Sequence, residues 1–286
     1  MKRFAAVIAV PVLLFSLPAC GSGPSPIASH AVASASSSAS SAESASLSPL
    51  PSTPPAAAEA SVPASGKKAA PLYRMNKNYD IVPIDPDSVS AKVVLLTFDD
   101  GPKAEATLKP ILDTLDKHRA KAIFFVNGFR VQKHPGLLKE IDERGQTVGN
   151  HTWSHAMLGK EKPDKVREEI GKTQDIVKET IGKTPVFFRP PNASGNADTH
   201  AAVKEYGMLY MTWSVGSLDW EMSGDKIKDK TAAIVKNVSE QLHSGSNILM
   251  HELPWTGTAL DALLTDLEKR GYSFVDPRSI DTATSK

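Results

Sequence analysis

The sequence predicts an α/β fold built on a parallel sheet for residues 91–286, and three observations lead to it. Seven short segments rich in Val, Ile, Phe and Tyr alternate with six stretches of helical periodicity, the order expected of repeated β-α units. The strand segments are apolar almost without interruption, as burial on both faces demands. Gly145, Gly182, Gly207, Gly245 and Gly271 stand where the helical patterns stop. Periodicity leaves two architectures open, an open doubly wound sheet and a barrel one strand short of eight.

In chain order, the strands are expected at residues 93–98, 122–127, 147–150, 186–189, 209–215, 247–251 and 272–275. The helices are expected at 104–118, 135–144, 164–181, 197–206, 225–242 and 258–270. The first helix carries the clearest signal, because Leu108, Ile111, Leu112 and Leu115 recur at helical spacing.

The N-terminal part is of another kind. Lys2 and Arg3 precede an apolar run over residues 4–17, which suits the core of an export signal ending at residue 20. Leu17-Pro18-Ala19-Cys20 resembles the lipobox of bacterial lipoproteins, which implies lipidation of Cys20; the alternative is a secreted protein cut near Ala19. In residues 21–70, 36 of 50 positions are Ala, Ser or Pro, too little apolar area to fold, so the segment reads as a disordered tether. A coil of that length reaches on the order of 40 Å on average. Residues 71–90 carry Tyr73, Tyr79, Ile81, Val82 and Ile84 and form a transition segment expected to pack on the outside of the domain.

Charge and cysteine content remove several function classes. A net charge of +1 over 286 residues gives no electrostatic case for a nucleic-acid partner. Cys20 is the only cysteine, so beyond it there is no disulfide, thiolate ligand or cysteine nucleophile. A metal ion would need His, Asp or Glu.

In parallel α/β architectures, functional groups belong at the carboxyl ends of the strands. Asp99 and Asp100 lie there in Thr97-Phe98-Asp99-Asp100-Gly101-Pro102, where two adjacent carboxylates can share a site only if the strand ends; Gly101-Pro102 is read as that end. His151 and His155 follow the third strand, Arg189 the fourth, Asp219 and Trp220 the fifth, and His251 ends the sixth. The two histidines are spaced i, i+4 and would project from one face of a helical turn. With Asp100 they make a set of two imidazoles and one carboxylate, which suits one divalent ion, Zn²⁺ first and Co²⁺ or Fe²⁺ as alternatives, with coordination positions left open.

Over residues 91–276 these motifs resemble the polysaccharide deacetylases of carbohydrate esterase family 4, the NodB-type deacetylases. The resemblance implies a distorted (β/α) barrel of about seven parallel strands. It also implies roles: Asp99 the general base, Asp100, His151 and His155 the metal ligands, Arg189 the holder of the base, Asp219 the partner of His251, and His251 the acid. Asn192 would offer a backbone N-H to the oxyanion, and Trp220 and Leu249 would form the apolar pocket for the acetyl methyl and the sugar face. Two positions depart from the family pattern: Asn192-Ala193 replaces an aromatic residue and glycine, and Gly216 replaces an aspartate.

The expected activity is therefore metal-dependent removal of N-acetyl groups from an N-acetylhexosamine polymer, with peptidoglycan preferred and acetate released. The alternatives are deacetylation of poly-N-acetylglucosamine or chitin-type oligosaccharides, or glycan binding without turnover. The chain is read as an exported monomer, held to the membrane only by a lipid at Cys20 and facing the cell wall or periplasm.

Overall fold

A computed structural model describes residues 70–283. The expected export signal, Cys20 and nearly all of the expected tether lie outside the described residues. Within them, no helix is long and apolar enough to cross a membrane.

The described residues open with a hairpin of β1 (Tyr73–Met75) and antiparallel β2 (Ile81–Pro83). The main sheet follows with β3 (Val93–Gly101), β4 (Ala122–Val126), β5 (Thr147–Asn150), β6 (Phe187–Phe188), β7 (Leu209–Tyr210), β8 (Val215–Gly216), β9 (Ser246–His251) and β10 (Ser273–Phe274). Seven of these run in the order β7-β6-β5-β4-β3-β9-β8, and β10 pairs with the start of β3; every pairing in this sheet is parallel. The sheet is curled into an incomplete barrel, the architecture implied by the resemblance. The expected strand over 209–215 is two strands, β7 and β8, at opposite ends of this order. Residues 211–214 cross between them, and the mostly apolar run, with no Gly or Pro in it, carries no mark of such a crossing.

Among the described residues, seven helices accompany the sheet: α1 (Glu105–Lys117), α2 (Gly128–Lys133), α3 (Pro135–Glu143), α4 (Pro163–Ile181), α5 (Ala197–Glu205), α6 (Lys230–Gln241) and α7 (Pro254–Lys269). Six correspond to the expected ones, while α2 is too short for periodicity to mark. α6 starts at Lys230 rather than near 225, where Asp229 caps it by accepting from the Ala232 N-H at 2.8 Å. α7 starts earlier than expected because Pro254, with its fixed φ, opens its first turn.

Strand alternation sorts the core into two layers. Val94, Leu96 and Phe98 of β3 face the helices and pack with Leu108, Ile111, Leu112 and Leu115 of α1, all fully buried. Val93 and Leu95 face inward with Ile123, Phe125, Phe187 and Met211. Tyr73 and Ile81 of the hairpin are buried in this inner layer, so the 71–90 segment does not merely lie on the outside. Gly245 makes the docking possible: with φ of 83°, a Cβ there would sit 2.3 Å from the Ile81 carbonyl oxygen.

Candidate active site

The inward face of β3 continues from Val93 and Leu95 to Thr97 and Asp99, which places a carboxylate at the mouth of the barrel. Simple alternation would send Asp100 outward. Instead the register slips between Asp99 and Gly101 against β4, and Asp100 takes a left-handed φ of 69°. The strand ends at Gly101, as read, but it runs through both carboxylates, past the expected bound at 98, and a bulge rather than the strand's end turns them to one site.

Asp99 is 3 % exposed and faces the fully buried Arg189. Arg189 Nη1 donates to Asp99 Oδ1 and to Thr97 Oγ1, both at 2.8 Å. Nη2 donates to the Thr212 carbonyl at 2.7 Å and to Asn247 Oδ1 at 3.3 Å, and the guanidinium lies over the Phe125 ring with 4.3 Å to its centroid. The segment crossing from β7 to β8 therefore supplies part of this cradle.

His151 and His155 do not lie on a helical turn. They span a loop after β5 in which Thr152 and His155 have positive φ, and their ring centroids are nonetheless 5.1 Å apart. The buried Glu169 of α4 holds the loop, accepting from Ser154 N at 2.8 Å and Ser154 Oγ at 2.9 Å. His151 Nδ1 donates to the Arg189 carbonyl at 2.7 Å; because a carbonyl only accepts, the proton is on Nδ1 and the Nε2 lone pair is free. Burial lowers the His151 pKa despite the neighbouring Asp99 and Asp100, keeping the ring neutral.

Asp100 Oδ1 lies 3.6 Å from His151 Nε2 and 3.2 Å from His155 Nε2. It is a buried oxygen with no hydrogen-bond partner. Burial alone would raise the Asp100 pKa, but the imidazoles of His155 and His151 and the charge of Lys103 outweigh it and hold it below the usual carboxylate range. An orphaned carboxylate oxygen, a free imidazole lone pair and a second imidazole, all within 4.8 Å of one another, fit one cation. Among the described residues, this is the set of three such groups that could hold a metal ion.

Asp219 follows β8 in a single 3₁₀ turn and is fully buried. Its Oδ1 accepts from His251 Nδ1 at 2.8 Å, and its Oδ2 from His251 N at 2.7 Å and Thr256 Oγ1 at 2.6 Å. The His251 pKa is raised: burial opposes this, but the hydrogen bond and charge of Asp219, with the charges of Asp99 and Asp100, prevail. At Gly216, a Cβ would lie 3.3 Å from the Trp220 ring, so the indole fills the space a larger side chain would need, and His251 keeps a carboxylate partner regardless.

These groups line one cleft of about 500 Å³ that includes Asp99, Asp100, His151, His155, His251 and Leu249. Asn192, in left-handed conformation with φ of 52°, and Trp220, edge-on to His251 at 5.5 Å, lie on its wall. Trp213 and Trp255 also line it, and Trp255 Nε1 donates to the Asp219 carbonyl at 2.8 Å. The sequence marks no role for Thr97, Asn247, Phe125, Glu169, Thr256 or Lys103. Only Thr97 carried a signal, its inward place two residues before Asp99.

The sequence profile of the family described as "Polysaccharide deacetylase" matches residues 87–211. The chain is 39 % identical over 196 residues to the peptidoglycan-N-acetylglucosamine deacetylase PgdA of Listeria monocytogenes, covering 68 % of this chain but only 40 % of that relative's length. It is 31 % identical over 221 residues to the peptidoglycan-N-acetylmuramic acid deacetylase PdaA of Bacillus subtilis, covering 77 % of this chain and 80 % of the relative. Among solved structures it is similar to the peptidoglycan deacetylase PdaC of Bacillus subtilis, with TM-score 0.60, 35 % identity, and coverage of 68 % of this chain and 90 % of that one.

Proposed function

This chain belongs to the polysaccharide deacetylase family, and from that membership we propose that it is a metal-dependent hydrolase removing N-acetyl groups from the amino sugars of peptidoglycan, with release of acetate. One observation carries the reading: a carboxylate held by a buried arginine, a carboxylate-paired imidazole and an Asp-His-His set converge on a single cleft. Relatives named for peptidoglycan favour that polymer over other N-acetylated glycans. Such a substrate lies outside the cytoplasm, in keeping with the expected export signal and lipid at Cys20.

Asp100, His151 and His155 would hold the ion, Zn²⁺ by preference for this ligand set and Co²⁺ or Fe²⁺ as alternatives. When bound, it would supply Lewis acidity, polarising the acetyl carbonyl and making a nearby water more acidic. Asp99, oriented by Arg189, takes a proton from the attacking water as its oxygen bonds to the carbonyl carbon. The backbone N-H of Asn192 is the chain's donor to the oxygen that becomes negative. His251 then protonates the departing nitrogen as the C-N bond breaks. Because Nδ1 is committed to Asp219, Nε2 delivers that proton. Trp220 and Leu249 bound the acetyl methyl and the sugar face.

The test is acetate release from purified peptidoglycan, chitin oligosaccharides and poly-N-acetylglucosamine, with chelator and metal add-back. Acetate from peptidoglycan that stops with chelator supports the reading. Acetate only from the other polymers moves the substrate, and none from any leaves glycan binding without turnover.

A further inference from the structure

Besides the two histidines of the Asp-His-His set, the basic side chains in or beneath the cleft are Arg189, His251 and Lys103, and the first two are committed. Arg189 is held by Asp99, and His251 by Asp219. Lys103 is different. It lines the cleft with its side chain 21 % exposed, and its Nζ approaches only Asp100 Oδ2, at 3.8 Å, which is beyond hydrogen-bond range. The same carboxylate turns its other oxygen to His151 and His155. An ion held there would draw on Asp100's charge and leave Lys103 less of it.

Lys103 is also fixed in place. Its backbone N-H donates to Oε1 of the buried Glu252 at 2.9 Å, and so does that of Ala104 at 3.1 Å. A second positive charge, Arg130 on α2, acts on Lys103, and the buried Nε of Arg130 has no hydrogen-bond partner. The cations come from the ends of β3 and β4, whereas Trp220 and Trp255 follow β8 and β9 on the other side of β3 in the sheet order. The cleft therefore has an aromatic wall and a cationic corner beside the reacting groups, where Asp100, Glu252 and Asp219 act on the Lys103 ammonium by charge but none accepts a hydrogen bond from it.

We propose that Lys103, backed by Arg130, is a subsite for a carboxylate carried on the ring carbon next to the one bearing the acetamido group, so that the preferred unit is N-acetylmuramic acid with its lactyl carboxylate free. The inference rests on the deacetylase reading above. In that unit the lactyl ether and the acetamido group occupy adjacent ring carbons. An acetyl carbonyl at the Asp100 end of the cleft brings the carboxylate to the neighbouring Lys103. Neutral N-acetylglucosamine would instead desolvate the ammonium without giving it an acceptor, and a site built for a charged hydrogen bond discriminates against the ligand that lacks it.

The experiment uses the full chain, metal-loaded, on glycan strands freed of peptide stems, on the same strands with lactyl carboxylates converted to methylamides, and on stem-bearing strands. The deacetylated sugar is identified by mass spectrometry after muramidase digestion. We expect muramic units to be favoured by about tenfold or more in the free-carboxylate strands over the methylamide strands. Lys103→Met should collapse that ratio towards one whatever its absolute rate, and Lys103→Arg should keep it. Binding of N-acetylmuramic acid over its methyl ester, followed by NMR titration, should show the same dependence on Lys103 without turnover. Equal rates on carboxylate and methylamide strands, or a ratio untouched by Lys103→Met, would overturn the proposal. Preference for stem-bearing strands overturns the lactyl assignment in favour of stem carboxylates. Acetate without preference sinks this inference alone, whereas no acetate from any strand sinks the deacetylase reading and this inference with it.

Discussion

Arg189 Nη1 lies 2.8 Å from Asp99 Oδ1, and the guanidinium is fully buried, so its charge has no water as an alternative partner. Removing one member of such a pair costs about 3–5 kcal/mol, because the other is left buried and uncompensated. Arg189→Ala is therefore expected to lower Tm by roughly 6–20 °C for a domain of this size, read by thermal unfolding. Acetate release should fall on the order of 100-fold or more if Asp99 is the base. Arg189→Lys should recover part of the stability and little of the rate, since an ammonium cannot reach Thr97, Asp99, Thr212 and Asn247 together.

His251 and Asp219 predict a pH profile. The folded His251 pKa lies above the ordinary imidazole value, so an acid-dependent rate should persist to higher pH than a free imidazole allows, with its alkaline limb displaced upward. Asp219→Asn removes the largest raising influence and leaves burial opposed only by the charges of Asp99 and Asp100, so the limb should move to lower pH and the loss should be greater at pH 8 than at pH 5.5. The stability linkage has a definite sign. A raised folded pKa contributes stability that is full below the unfolded value of about 6.5 and is lost as pH rises through the folded one. Pair-dependent stability should thus fade on the alkaline side, which unfolding of wild type and Asp219→Asn between pH 5 and 9 will read.

Chelation should act on stability as well as on rate. A cation bound by the folded Asp100, His151 and His155 and poorly by the unfolded chain raises stability by about 2.7 kcal/mol at 100 times its Kd. Tm should drop with chelator and return with Zn²⁺. Asp100→Ala and His155→Ala should each abolish the shift. Asp100 is ionised and His151 neutral at pH 7, so binding should release few protons there and weaken only as the solution becomes acid. Calorimetry in buffers of different ionisation enthalpy measures that release.

The strand ends were legible in the sequence because the groups at the barrel mouth follow short, strongly apolar runs. That pattern alone places Asp99, Asp100, His151, Arg189, Asp219 and His251 at strand ends. It could not show the bulge at Asp100 or the non-helical loop from His151 to His155, since both depend on non-glycine left-handed residues, Asp100 in the one and Thr152 and His155 in the other. Nor could it divide residues 209–215, where two-residue strands leave no periodicity. The cradle around Arg189 was hidden for another reason: Thr97 and Asn247 are polar residues inside apolar strands, and they meet Arg189 from 92 and 58 positions away. Local pattern reports which face a residue takes, not which distant group it meets.

Glu252 is the sharpest case of such a distant contact. Ala104, at the start of α1, offers no side-chain cap, and Glu252 Oε1 takes that place from the end of β9, accepting from Lys103 N, Ala104 N and, at 2.6 Å, Thr107 Oγ1. Its Oε2 is buried without a partner and sits where a Cβ on Gly101 would be, at 2.7 Å. Glu252→Ala should therefore cost about 1–3 kcal/mol through orphaned N-H groups and should weaken Zn²⁺ affinity by loosening the segment that carries Asp100. Glu252→Gln separates cap from charge. Burial raises the Glu252 pKa, against the opposing hydrogen bonds from Thr107, Lys103 and Ala104, so the wild-type carboxyl favours folding fully only below its unfolded pKa. That contribution is lost as pH rises through the folded pKa, whereas the amide keeps one acceptor oxygen and never ionises. Relative to wild type, Glu252→Gln should gain stability from pH 4 to pH 7 in urea unfolding. A constant or falling difference would mean that the carboxylate is the favoured form and that its charge strengthens the cap.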